Sequence, residues 1–248
     1  MSMTTTTLEL IETLQERSQG ASAQELLAWA VSTYGASLKL ACSLGLEDVA
    51  LAHMLTRIDP EATVFVLDTG RLHFETLETM ERLRSKFGIR FQVFAPETRA
   101  VEALVAAKGP LSFYESVENR KECCSIRKVE PLNRALRDAK AWVTGLRRTQ
   151  SSTRTSLKKL EIDADHGGIL KLNPLADWDE DAVWKYVKEN GIPYNSLHDQ
   201  GFPSIGCAPC TRAIAPGEDI RAGRWWWESP ENKECGLHVR KRPAGDQP

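Results

Sequence analysis

Two pairs of cysteines, Cys123-Cys124 and Cys207-Ala208-Pro209-Cys210, constrain what this 248-residue chain can fold into more than any other feature. If four thiols share one metal centre, the long stretch between the pairs must leave the first pair and return to it. Cys207 and Cys210 have the two-residue separation of a clasp for one metal or cluster, with Pro209 stiffening the turn. Adjacent helical residues point about 100° apart, which suits two corners of a large cluster better than two vertices of a small tetrahedron. A set of four thiolates matches a 4Fe-4S cluster, and zinc held by the same thiols is the alternative. On the helix carrying Cys123 and Cys124, Arg127 and Lys128 follow at four-residue spacing and would set positive charge beside the thiolates. Pro131 lacks the N–H that would pair with the Arg127 carbonyl, so the helix is expected to end or bend there.

Upstream, two short helices are expected between Leu8 and Ala30, interrupted near Gly20. Strand character then appears at residues 38–43, 63–67, 89–94 and 141–144, and helical spacing at residues 47–56, 73–87 and 179–190. In the second of these helices Phe74, Leu77, Met80, Leu83 and Phe87 are expected to share the apolar face. Strand alternating with helix predicts an α/β fold: a parallel sheet covered by helices on both faces, with ligands at the carboxyl ends of the strands. From Ile192 onward Pro, Gly, Cys and Trp dominate, which predicts loops draped over the sheet and a mobile tail. No internal repeat or low-complexity run is present.

Three strand ends could hold an anion. Ser43-Leu44-Gly45 precedes a helix, whose first N–H groups point at such a ligand. Asp68-Thr69-Gly70 repeats the logic at the next strand, where glycine lets backbone approach a ligand closely. The loop from Gly145 to Arg154 carries Arg147, Arg148 and Arg154 among hydroxyl side chains, and arginine forks match phosphate and sulfate oxygens. Together they predict a nucleotide pocket; separately each is also an ordinary turn or solvated loop.

A formal charge of −2 argues against bulk electrostatic binding to nucleic acid or membrane. The amino terminus lacks the pattern of a secretion signal and no long apolar run follows, so a soluble cytoplasmic protein is expected. In that reducing compartment, six unevenly spaced cysteines are better suited to ligation or catalysis than to disulfides. Cys42, in an apolar strand, is expected to be buried and inert. Cys235 lies in a charged segment with Lys233 and His238 available to favour its thiolate. His53, His73, His166 and His198 carry no motif and are read as ordinary structural or surface residues.

The cysteine quartet, the Leu67-Asp68-Thr69-Gly70 strand end, the Arg147 loop and the terminal Glu234-Cys235-Gly236-Leu237-His238 together resemble the assimilatory adenylyl-sulfate reductases of the sulfonucleotide reductase family, from about Leu38 to His238. The resemblance implies a Rossmann-like, adenine nucleotide alpha-hydrolase-like domain over residues 1–215, with one 4Fe-4S cluster on Cys123, Cys124, Cys207 and Cys210. A tail over residues 216–248 would carry the nucleophile. It further implies thioredoxin-dependent reduction of adenosine 5'-phosphosulfate to sulfite and AMP, through an S-sulfonate on Cys235 and a transient mixed disulfide with thioredoxin. Lys128, Arg154, Arg221 and Arg224 are the candidates for neutralising sulfate and phosphate oxygens, and His238 for positioning the tail. Ser43, Leu44, Gly45, Asp68, Thr69, Gly70 and Arg147 complete the expected substrate site. Members without the quartet generally take the 3'-phosphorylated nucleotide, so its presence favours the unphosphorylated one, although some cluster-bearing members accept both. Two rivals stay open: an ATP pyrophosphatase, whose loop would carry a glycine pair where Gly45 stands alone, and a metal-stabilised nucleotide-binding module without catalysis. Homo-oligomerisation is left open.

Overall fold

The computed structural model describes residue 16, residues 18–151 and residues 154–229. Six strands, β1 (Leu38–Ala41), β2 (Thr63–Leu67), β3 (Phe91–Phe94), β4 (Ala141–Val143), β5 (Leu160–Asp163) and β6 (Ile169–Leu172), form one sheet in the order β3-β2-β1-β4-β6-β5. Every pairing is parallel except that of β5 with β6. The chain builds outward from β1 through β2 to β3, then crosses back to add β4 on the other side of β1. Strand order therefore reverses between β1 and β4, and a crevice opens at their carboxyl ends.

Side chains alternate across the sheet, and each face has its own cover. Leu38, Leu40, Val64, Val66, Ala141, Val143 and Leu172 pack beneath α1 (Ala23–Tyr34), α2 (Leu46–Ile58) and α7 (Glu180–Glu189). Phe65 and Trp142 face the other way, against Leu132, Ala135 and Leu136 of the last helical stretch before β4. Ser22 and Glu25 close a capping box at the start of α1, the Ser22 hydroxyl accepting from the Glu25 N–H while the Glu25 carboxylate accepts from the Ser22 N–H. Asp179 caps α7 in the simpler way, its carboxylate accepting from the Ala182 N–H. The expected helix near Leu8 lies outside the described residues.

Helix α3 (Phe74–Phe87) forms where its spacing predicts but is rotated about its axis. Phe74 and Leu77 are exposed, whereas Thr76, Thr79 and Leu83 are buried. The Thr76 hydroxyl accepts from Asn195 Nδ2 at 2.9 Å, and Thr79 returns its hydroxyl to the Glu75 carbonyl, so the buried polar atoms are satisfied. Helix α4 (Thr98–Lys108) and the β5–β6 hairpin complete the layer structure and were not read from the sequence. Gly167 and Gly168, both at positive φ, make the hairpin turn.

The cysteine-bearing helix α5 (Val117–Cys124) does not end at Pro131. It widens into a π-helical turn, Ser125–Val129, whose Glu130 N–H reaches back to the Ser125 carbonyl, and resumes as α6 (Glu130–Ala135) with the proline in its first turn. The proline falls where an orphan N–H is tolerated, so it enters the new turn without breaking the rod. The four-residue registry expected for Arg127 and Lys128 is lost with the pitch. Beyond α7 the chain runs through short 3-10 turns at Ser196–Gln200 and Ala208–Cys210, and one bridge pairs Thr211 with Arg224. No helix among the described residues is long and apolar enough to cross a membrane.

Candidate functional site

The crevice between β1 and β4 is a cleft of about 260 Å³. Its wall includes Ser43 and Gly45 after β1, Thr69 after β2, and Thr144, Gly145, Arg147, Gln150 and Arg154 after β4, with Lys128, Cys207, Arg221, Arg224 and Trp225 closing one side. All three strand ends singled out in the sequence thus converge. Leu44, Asp68 and Gly70 do not line the cleft. Leu44 sits at φ 64 with its side chain in the main core, a left-handed backbone that a leucine adopts only at a cost. Asp68 accepts from the Gly70 N–H at 2.9 Å and shapes the turn that presents Thr69.

Ser43 is bonded within the protein. Asp48, at the start of α2, accepts from the Ser43 N–H at 2.7 Å and from its hydroxyl at 2.5 Å, and also from the Gly145 backbone. Burial pushes the Asp48 carboxyl up to about 6, against the Ser43 hydrogen bonds that pull it down, while Glu47 raises it further. Arg147 is likewise engaged: its guanidinium donates to Glu47 at 2.8 Å and to the Thr149 hydroxyl at 2.7 Å, with its side chain 3% exposed. Ser43 and Arg147 are thus each bonded to one of the protein's own carboxylates, and Arg147 fastens its loop to the start of α2.

The opposite side of the cleft is basic. Arg224 donates to the Ile205 carbonyl at 3.2 Å and to Ser204 at 3.3 Å, and its guanidinium lies 4.8 Å from the Trp225 ring centre. Gly206 makes that placement achievable, because a Cβ there would stand 2.3 Å from Arg224 Nη2. Arg154 donates to Gln150 at 2.7 Å, and Lys128 and Arg221 complete the basic wall.

Behind this wall all four cysteines of the quartet are buried in one small apolar cluster with Leu104, Phe113 and Trp225, separate from the sheet cores. Burial pushes Cys210 up to about 12, with the neighbouring Cys207 adding to it. Burial also raises Cys207, but Lys128, the Thr69 hydroxyl and Arg224 outweigh it and hold this thiol below its ordinary value. The Cys207 thiol donates to Thr69 Oγ1 at 3.3 Å, and Thr69 in turn accepts from Arg127 Nη1 through its carbonyl at 2.7 Å. The Nε atoms of Arg127 and Arg224 and the indole Nε1 atoms of Trp225 and Trp227 are buried without a hydrogen-bond partner among the described residues. Also among the described residues, no group of three or more His, Cys, Asp or Glu side chains is gathered so as to hold a metal ion. Cys42 is buried as expected, its thiol pushed well up by burial. Cys235 and His238 lie outside the described residues.

Asp48, Glu47 and His198 also line the cleft; sequence reasoning did not single out the two carboxylates and read His198 as an ordinary structural or surface residue. Glu47 and Asp48 stand in the first turn of α2, just after the loop that the sequence marks, and their partners Arg147 and Gly145 lie on the β4 loop, about a hundred residues away. His198 carried no signal at all.

A model of the phosphoadenosine phosphosulfate reductase domain matches residues 37–213. Adenosine 5'-phosphosulfate reductase from Burkholderia cepacia is 56% identical over 202 residues, 82% of this chain and 80% of that protein. The protein of the same name from Allochromatium vinosum is 53% identical over 205 residues, 83% of this chain and 80% of its own. A crystal structure of phosphoadenylyl-sulfate reductase from Candida auris, in a phosphate complex, superposes with a TM-score of 0.72 at 28% identity, covering 86% of this chain and 99% of that one.

Proposed function

This chain belongs to the phosphoadenosine phosphosulfate reductase family, and we propose that it reduces adenosine 5'-phosphosulfate to sulfite and AMP with Cys235 as nucleophile. The observation that carries the reading is a shared wall: Cys207 and Trp225 belong both to the crevice of the sheet and to the apolar cluster around the thiols. The lining of the cleft includes apolar Phe65, Leu132 and Trp142, the carboxylates of Glu47 and Asp48, and the basic Lys128, Arg221 and Arg224. We assign the phosphosulfate to the basic residues and the nucleoside to the apolar ones, because charge complementarity favours that orientation. Arg154 extends the basic wall, while Ser43, Gly45 and Arg147 shape the cleft.

The Cys235 thiolate attacks the sulfonate sulfur, forming an S–S bond as the S–O bond to the phosphate breaks, and AMP leaves with the electron pair. Lys128, Arg221 and Arg224 neutralise charge arriving on the phosphate oxygens. An external dithiol then completes the reduction. One thioredoxin thiolate attacks the S-sulfonated Cys235 and expels sulfite, leaving a mixed disulfide; the second thiol displaces Cys235 and leaves thioredoxin oxidised. Cys42 is too deeply buried to serve as that resolving thiol. The segment 216–248 delivers the nucleophile, with His238 as its positioning residue, and the need for reduced dithiol puts the reaction in the cytoplasm.

Cys123, Cys124, Cys207 and Cys210 would hold a 4Fe-4S cluster. Four buried thiols in one apolar cluster supply the donor set that group takes, although among the described residues they are not drawn together as metal ligands, and the unpartnered indole N–H groups of Trp225 and Trp227 in the same cluster of residues are donors that sulfur acceptors would satisfy. When bound it would supply a fixed field beside Lys128. The deciding experiment measures sulfite released by oxygen-free protein with thioredoxin, from adenosine 5'-phosphosulfate and from its 3'-phosphorylated form. Faster release from the first, with one AMP per sulfite, is expected; no sulfite from either would end the proposal.

A further inference from the structure

Arg120 and Glu228 form a two-point ion pair at 2.9 and 2.7 Å, with side chains 1% and 3% exposed. Two charges taken so far out of water seldom add net stability over an apolar pair of the same shape, so such a pair is better understood as fixing a geometry. What it fixes is specific. Arg120 lies on α5, one turn before Cys124, and interacts with the Cys124 thiol. Its guanidinium also sits 4.8 Å from the ring centre of Trp225, whose backbone is held at φ 40 and whose N–H donates to the Cys210 carbonyl. Glu228 closes the same short segment, its N–H donating to the Trp225 carbonyl. One arginine thus touches both cysteine-bearing stretches, directly or through Trp225, and the last stretch of chain before residue 230.

We propose that the Arg120–Glu228 pair is the anchor of the C-terminal segment, fixing against α5 the point from which the chain departs toward Cys235. Arg120 and Glu228 are positioning residues: neither lines the cleft. The consequence for catalysis rests on Cys235 being the nucleophile, whereas the anchoring itself does not. Arg221, Arg224 and Trp225 of the same segment line the cleft, and Arg224 keeps its own bonds to the Ser204 hydroxyl and the Ile205 carbonyl, so loosening the anchor leaves that part of the wall in place.

The test uses the loaded, full-length protein and the variant Glu228→Gln, which keeps the shape and strands the arginine charge. Amide exchange over residues 225–229 is expected to accelerate more than about 10-fold, the scale expected when a buried pair is broken, while the amides of α2 and α7 keep their protection. AMP affinity stays within about two-fold, KM changes little, kcat falls about 10-fold or more, and Glu228→Asp recovers part of it. Unchanged exchange over 225–229 overturns the anchor, and an unchanged kcat with accelerated exchange overturns its consequence for catalysis. Should Glu228→Gln fail to fold, exchange in the unaltered protein decides. Trp225 and Glu228 amides opening together with α5 support the anchor, and their opening independently of α5 overturns it. Absence of sulfite formation by the unaltered protein would sink the reductase reading alone, leaving exchange to judge the anchor.

Discussion

Asp48 takes both hydrogen bonds that Ser43 can offer, from the backbone N–H at 2.7 Å and from the hydroxyl at 2.5 Å. A carboxylate so buried is more easily protonated in the folded chain than in the unfolded one, its value rising from 3.8 to about 6 because burial outweighs those bonds. The contribution to stability is therefore fully present below about pH 4 and is lost as pH rises through about 6, a change of roughly 3 kcal/mol at most. Asp48→Asn removes this slope. Urea unfolding from about pH 4 to pH 7.5 should show the stability of the unaltered protein falling relative to the variant; parallel curves would refute the assignment.

Gly145 is held to its identity by the same carboxylate. A Cβ at this position would stand 2.2 Å from Asp48 Oδ1 and 2.9 Å from the Glu47 Cβ, and α2 leaves neither atom room to retreat. Gly145→Ala is expected to cost about 1–3 kcal/mol and to weaken AMP binding measured by calorimetry. Combining it with Asp48→Ala should return part of the loss, and strict additivity would contradict the clash.

Cys235→Ser should retain AMP binding and iron content while forming no sulfite, and mass spectrometry should find no S-sulfonated protein. Retained turnover in that variant would remove the proposed mechanism.

If the proposed cluster is bound, a chelator that strips its iron acts on the residues around Phe113 and Trp225, which are distinct from the cores flanking the sheet. Far-ultraviolet circular dichroism should change little, while tryptophan emission shifts to the red as Trp225 and Trp227 lose their packing. A cooperative loss of the whole circular dichroism signal would show instead that the two regions fold as one.

The buried strands were legible because each is a short apolar run with turn residues at its end: Thr63–Leu67 falls where the pattern predicts, and β1 stops two residues before its expected end, where the Ser43 N–H bonds Asp48. The quartet was legible as a gathering of thiols for a different reason, since two-residue spacing around a proline is a local signal. Where periodicity failed, tertiary packing had overridden it. Helix α3 buries Thr76 because Asn195, distant in sequence, supplies a partner, and no apolar count along one helix contains that fact. The basic loop after β4 reads as an anion site, yet Glu47 claims Arg147; a fork suited to phosphate is equally suited to a carboxylate, and only proximity decides. The β5–β6 hairpin carried a usable mark in Gly167-Gly168 between two alternating runs, but the expectation of a wholly parallel sheet obscured it.

The wide turn at Ser125–Val129 spends five residues where an ordinary helix would close its ring with four. In effect the rod contains one surplus residue between Cys124 and Pro131. Winding the same residues as a regular helix would turn everything downstream by about 100° relative to the thiols, Lys128 with it. Pitch along this stretch is thus as stringent a requirement as identity: the same cysteines and lysine on an unbroken helix would present a different side chain to the substrate.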